Sequence, residues 1–219
     1  MPQSDYWAVP YVLEAAVAID PVSVLDIGVG MGQYGLHLRQ SFDIARGRLT
    51  KPEWTMKIDG VELFEPYRNP LWDYYYDTVT IADARTHIAT LTQQYDLLLM
   101  CDVIEHFDKA EAMTLLTAAR KAASWIIVTT PRGDYPQGAM YGNDAETHRS
   151  AWTPAEFQSL GAFTHEIKDT FLALVPGVGI MKPKLKPGDL PTLFTHSAGS
   201  LAKCFRLWLP QMVKSKLGR

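Results

Sequence analysis

A chain of 219 residues, 47% hydrophobic and 21% charged, falls within the range of a soluble globular protein with one substantial core. No apolar run approaches the roughly 18 residues that span a bilayer, and the first residues, "MPQSDYW", carry neither the basic nor the apolar part of a secretory signal, so a cytoplasmic protein is expected. The two cysteines, Cys101 and Cys204, are too few for a disulfide framework or a zinc cluster.

Net charge is -3, unevenly spread: residues 182–219 hold eight Lys and Arg against Asp189 alone, which leaves the rest of the chain at -10. An acidic body does not suit tracking a long phosphate backbone, whereas the basic tail suits an anionic partner or membrane surface. Two parts are therefore expected, a domain over 1–181 and a basic C-terminal tail over 182–219.

In chain order, "YVLEAAVAI" (11–19) reads as a helix ending before Pro21. The runs "SVLDIG" (23–28), "KIDGVEL" (57–63), "TVTIAD" (78–83), "YDLLLMCD" (95–102) and "SWIIVTT" (124–130) are short and nearly all apolar, the pattern of buried parallel strands. Helix-like stretches alternate with them: "GQYGLHLRQSF", "RNPLWDYYYD", "ARTHIATLTQQ" and "DKAEAMTLLTAARKAA". That alternation predicts an open, doubly wound α/β sheet, with "FTHEIKDTFLALV" (163–175) supplying the last strands. Segment 182–202 reads as irregular, and "LAKCFRLWLPQMVKSK" as a short amphipathic helix broken near Pro210. Segment 131–152 reads as a long polar loop beyond a strand's carboxyl end, where ligands bind in such sheets.

Gly28, Gly30, Gly32 and Gly35 follow the first strand, where glycine permits a tight turn and close approach of a ligand to the backbone. A dinucleotide-binding dehydrogenase would share such a turn. Asp26 separates the two, because an anion aimed at the turn repels a pyrophosphate and attracts an ammonium-bearing ligand. Glu62 ends the second strand, suited to a ribose diol, and Asp83 ends the third, suited to the exocyclic amine of a base.

Through "VLDIGVGMGQYG", "GVELFEP", "ADAR" and "YDLLLMCDVIEHF", residues 23–130 resemble the class I S-adenosylmethionine-dependent methyltransferases, of the methyltransferase type 11/12 kind. The resemblance implies a Rossmann-like, mostly parallel seven-stranded sheet and S-adenosylmethionine as cofactor. It implies further that Asp26, Gly28 and Gly30 border the methionine part, Glu62 holds the ribose, Asp83 with Ala84 reads adenine, and Cys101 and Asp102 flank the cofactor. The cofactor carries an electrophilic methyl, so the protein need only align an acceptor and manage its proton.

"DVIEHF" gathers Asp102, Glu105 and His106 at a strand end, and His148 lies in the long loop, a set able to hold a divalent cation such as Mg or Zn. The turn resembles those of the ubiquinone-pathway O-methyltransferases and of the methyltransferases of the 2'-hydroxyl at small-RNA ends. Here Asp102 stands where those enzymes carry Glu. Without a metal, Glu-His pairs of this kind orient substrate, and His148 or His106, beside Glu105, serves as base toward a hydroxyl. Arg132, Gln137, Tyr141, Asn143 and Glu146 make a lining suited to a hydroxyl-rich small acceptor such as a sugar or glycan precursor. The alternatives are a metal-assisted 2'-O-methyltransferase of an RNA terminus, a nicotinamide-dependent dehydrogenase, and a non-catalytic cofactor-binding scaffold or partner subunit. Tyr6 and Trp7 are read as packing on the sheet edge, or else as a lid.

Overall fold

The computed structural model describes residues 4–178. The basic tail, and with it the expected helix from Leu201 onward, lies outside them.

A helix, α1 (Val9–Ile19), precedes the sheet. Strands β1 (Ser23–Ile27), β2 (Lys57–Glu62), β3 (Thr78–Ile81), β4 (Tyr95–Cys101) and β5 (Ala123–Pro131) then alternate with helices α2 (Gln33–Leu38), α3 (Pro70–Tyr75), α4 (Ala84–Ala89) and α5 (Lys109–Ala122). A short helix α6 (Pro154–Gln158) leads to β6 (Phe163–Ile167) and β7 (Thr170–Pro176). The seven strands are ordered β3-β2-β1-β4-β5-β7-β6, and β7 runs antiparallel to both of its neighbours while the other pairs are parallel. This is the mostly parallel seven-stranded architecture expected.

The central strands β4 and β5 are largely apolar because helices cover both faces of the sheet. Side chains alternate in strict period two: Val24, Leu97, Leu99, Trp125 and Ile127 pack beneath α1 and α3, while Leu25, Leu98, Met100, Ile126 and Val128 pack beneath α4 and α5. Leu97, Leu98, Leu99, Ile126 and Ile127 are wholly buried, and each such side chain contributes about 1.5–3 kcal/mol.

Two helices are shorter than their patterns suggest. α2 gives way at Arg39–Asp43 to a π turn, because Arg39 is fully buried and its guanidinium is bound by Asp43, Asp77 and the carbonyl of Tyr75, each at 2.9 Å. α4 stops at Ala89, where Thr90 caps it and its hydroxyl donates to the His87 carbonyl. The 131–152 loop forms no regular element beyond a 3-10 turn at Asp144–Glu146 and isolated bridges, as its composition predicts.

From β1 the chain winds outward to β3, then returns across β1 to β4, so the strand order reverses between β1 and β4. Such reversals open a crevice at the strands' carboxyl ends. Most of the candidate site residues lie there.

Candidate functional site

A cavity of about 800 Å3 occupies this crevice. Its inner wall is the turn after β1, where Gly28, Gly30 and Gly32 have φ of 75°, 52° and 86°, values that side chains rarely tolerate. At Gly28 sterics add a second reason: a Cβ there would lie 2.6 Å from the side chain of Val103, two residues past the end of β4.

Glu62 braces the turn. Its Oε2 accepts from the Gly30 N–H and its Oε1 from the Phe64 N–H, both at 2.9 Å, and it still borders the cavity. Burial raises its carboxyl pKa, while those backbone donors oppose the shift. Asp83 caps α4 by accepting from the Arg85 N–H at 2.8 Å, and the Arg85 side chain binds it too, holding its carboxyl below the ordinary range. Asp83 and Ala84 both line the cavity, as do Gly28, Gly30 and Cys101.

Two expected residues are placed otherwise. Asp26 does not border the cavity; it is buried behind the glycine turn, where its Oδ2 accepts a 2.6 Å hydrogen bond from the Tyr76 hydroxyl. Burial pushes its carboxyl up to about 7, partly opposed by Tyr76 and assisted by the charge of Glu62. Asp102 borders the cavity but turns away from the other candidate metal ligands. With φ of 54°, it accepts from the Asp5 N–H through Oδ2 at 3.0 Å and from the Thr129 hydroxyl through Oδ1 at 3.1 Å. The spacing Asp-x-x-Glu-His therefore supplies two candidate metal ligands, not three.

Glu105, His106 and His148 do converge, with one potential ligand atom from each lying within 4.8 Å of the others. The main chain brings them together: the Glu105 carbonyl accepts from the N–H groups of Arg149 (2.8 Å) and Ser150 (3.1 Å), pinning the long loop over the turn after β4. His148 Nδ1 lies 2.6 Å from the Tyr135 carbonyl and His106 Nδ1 lies 3.3 Å from that of Thr147. A carbonyl only accepts, so with the proton on His148 Nδ1 its Nε2 offers a lone pair, whereas His106 is hydrogen-bonded to the main chain at both Thr147 and Asp102. Glu105 is 2% exposed; its Oε2 accepts from the Thr130 hydroxyl at 3.0 Å, and its Oε1 has no partner among the described residues. Burial holds the Glu105 carboxyl well above the usual carboxylate range, and burial lowers His106. A buried Glu105 oxygen without a partner among the described residues, beside the two imidazoles, fits a divalent cation and equally fits a hydroxyl group awaiting deprotonation.

Beyond the expected residues, Ser4, Asp5, Gln33, Tyr34 and Tyr67 also line the cavity. Tyr67 follows β2 and its hydroxyl donates to Glu146 Oε1 at 2.8 Å, tying the Glu62 side of the cavity to the long loop. Tyr6 and Trp7 are 63% and 41% exposed and do not line the cavity, and the Trp7 ring lies under the Lys168 ammonium.

No protein-family model matches the chain, and no curated protein matches it in sequence. Solved structures do share its fold. An O-methyltransferase family protein from Burkholderia thailandensis superposes with TM-score 0.56 at 13% identity over 79% of this chain, which spans 56% of that protein's length. The 1,6-didemethyltoxoflavin N1-methyltransferase of the same organism, solved with 1,6-didemethyltoxoflavin and S-adenosylhomocysteine, gives 0.54 at 17% identity, covering 78% of this chain and 77% of that one. The N-terminal domain of EvdMO1, solved in the presence of S-adenosylhomocysteine and D-fucose, gives 0.52 at 18% identity, covering 77% and 82%. The fold is thus that of the class I S-adenosylmethionine-dependent methyltransferases. Among the described residues, no helix is long and apolar enough to cross a membrane.

Proposed function

We propose that this chain is an S-adenosylmethionine-dependent methyltransferase acting on a hydroxyl of a small polar acceptor such as a sugar or glycan precursor. The observation that carries the reading is that one cavity at the strand-order reversal joins the glycine turn, Glu62 and Asp83 to the Glu105, His106 and His148 group. Glycine backbone, a ribose-binding acid and a base-reading acid suit a nucleoside. Glu62 retains lone pairs for two ribose hydroxyls, Asp83 with the Ala84 N–H addresses adenine, and Gly28 to Gly30 with Cys101 and Asp102 flank the methionine part. Asp26 acts from behind the turn, through Tyr76.

When bound, S-adenosylmethionine supplies a methyl carbon on a positively charged sulfur. His148 Nε2, across the ring from the Nδ1 that meets the Tyr135 carbonyl, would accept the acceptor hydroxyl's proton. Glu105 and His106 orient the hydroxyl. The likeness to a fold partner solved in the presence of D-fucose supports a hydroxyl-rich acceptor.

A second reading gives Glu105, His106 and His148 a divalent cation, magnesium or zinc, that lowers the acceptor's pKa. The unpartnered Glu105 oxygen favours it. An RNA terminus is the weaker acceptor: the cationic Lys or Arg side chains lining the described cavity are Arg85 and Arg149, and both are already paired with acids. The division into a methyltransferase domain over 1–181 and a basic tail over 182–219 that meets an anionic partner or membrane surface belongs to the same proposal.

Incubation with methyl-labelled S-adenosylmethionine and a panel of sugars, phenols and short RNAs, with and without chelator, tests the assignment. Label transferred to a hydroxylated small molecule supports it. Cofactor binding without transfer to any acceptor would favour the scaffold reading.

A further inference from the structure

The cavity offers a ligand almost no available positive charge. Its Lys or Arg side chains among the described residues are Arg85, paired with Asp83 and Glu111, and Arg149, paired with Asp144. On the acceptor side, by contrast, the lining acids Glu146 and Asp169 form no ion pair among the described residues. An anionic acceptor entering here meets repulsion, and a cationic one meets uncompensated carboxylates.

Glu146 is the better built of the two. Its Oε1 accepts from the Tyr67 hydroxyl at 2.8 Å and from the Asn143 side-chain amide at 3.5 Å, while its carbonyl accepts from Gln137 Nε2 at 2.7 Å. Side chain and main chain are therefore both fixed, and Oε2 takes no hydrogen bond among the described residues. Burial raises the carboxyls of Glu62 and Glu105, and the charge of Glu146 adds to both; it also opposes the lowering that burial imposes on His106. Glu146 thus stands close enough to act on the ribose side and on the histidine group at once. At the same end of the cavity the Glu105 Oε1, buried and without a partner among the described residues, is an independent sign that a polar group is received there.

Resting on the methyltransferase reading above, we propose that the acceptor is an amino alcohol of the amino-sugar class, whose protonated amine pairs with Glu146 Oε2 while its hydroxyl meets Glu105 and His148. An ammonium lacks a lone pair, so the amine anchors and the hydroxyl remains the group methylated. Glu146 then determines specificity by touching the acceptor and not the cofactor.

The test measures transfer from methyl-labelled S-adenosylmethionine to glucosamine, N-acetylglucosamine, glucose and glucose 6-phosphate near neutral pH, by wild-type protein and by Glu146→Gln, which keeps an oxygen for Tyr67. Wild type is expected to favour glucosamine over each of the others by at least about tenfold in kcat/KM, the effect of one hydrogen bond between charged groups. In Glu146→Gln the KM for glucosamine should rise about tenfold and its advantage over glucose should shrink to within about twofold. Calorimetric affinity for S-adenosylhomocysteine should stay within about twofold in the variant, which also shows that it is folded. Equal use of a neutral sugar, a preference for glucose 6-phosphate, or a preference for glucosamine that survives Glu146→Gln overturns the proposal. Loss of S-adenosylhomocysteine affinity in the variant does so too, by assigning Glu146 to the cofactor. Transfer to none of these sugars by wild-type protein that binds S-adenosylhomocysteine overturns the amino-sugar assignment and leaves the cofactor reading standing; wild-type protein that does not bind it overturns both.

Discussion

The Tyr76 hydroxyl donates a 2.6 Å hydrogen bond to Asp26 and accepts one from the Gly35 N–H at 3.0 Å, so a tyrosine following α3 clamps the end of β1 to the start of α2. Both side chains are buried, and the Asp26 carboxyl is raised to about 7 from 3.8. A group raised on folding adds stability below its unfolded pKa and loses that stability as pH climbs through the folded one. Asp26→Asn removes this dependence. The variant's unfolding free energy should therefore improve relative to wild type by roughly 2–3 kcal/mol between about pH 5 and about pH 8, measured by urea denaturation. A difference independent of pH would show that Asp26 titrates normally.

Gly35 meets the same ring. A Cβ there would lie 2.3 Å from Tyr76, whose side chain is 1% exposed and has nowhere to retreat. Gly35→Ala should destabilise the fold by about 1–3 kcal/mol and lower Tm by several degrees, since overpacking a closed core costs that much. An unchanged Tm would contradict the packing described.

Glu62, to which the proposal gives the ribose, braces Gly30. Glu62→Gln keeps one oxygen and the side chain's shape but loses the charge; S-adenosylhomocysteine affinity should fall about tenfold or more by calorimetry, with circular dichroism unaltered. Unchanged affinity removes the ribose assignment.

The loop histidine is the proton acceptor of the account. His148→Ala should lower turnover about a hundredfold or more while leaving cofactor affinity within about twofold. Should the three-residue group hold a cation, His106→Ala and Glu105→Gln will also abolish stoichiometric uptake of zinc or manganese, read by calorimetry on chelator-treated protein. Wild-type turnover in His148→Ala retires both roles.

Tyr67 joins the two halves of the cavity through Glu146. In Tyr67→Phe, protection of amides 143–148 against hydrogen exchange on adding S-adenosylhomocysteine should be weaker than in wild type. Identical protection would mean that the loop is held without it.

The central strands were legible because they are buried on both faces and so read as apolar runs; Leu97 to Met100 could hardly be anything else. Gly28, Glu62, Asp83 and the Glu105–His106–His148 group were legible because strand ends in a doubly wound sheet converge, so position along a strand implies position in space. What escaped depends on partners distant in sequence. Asp26 was taken to face the ligand because nothing near it in the chain announces Tyr76. Asp102 looked like a metal ligand by spacing, yet its left-handed backbone and the Asp5 N–H turn its carboxylate elsewhere.

The central claim is that the crevice between β1 and β4 binds an adenosylated amino acid. Calorimetric titration of the full chain with S-adenosylhomocysteine tests it most directly. The account predicts saturable one-to-one binding in the micromolar range, weakened by Glu62→Gln. Absence of binding by the folded wild-type protein would contradict it.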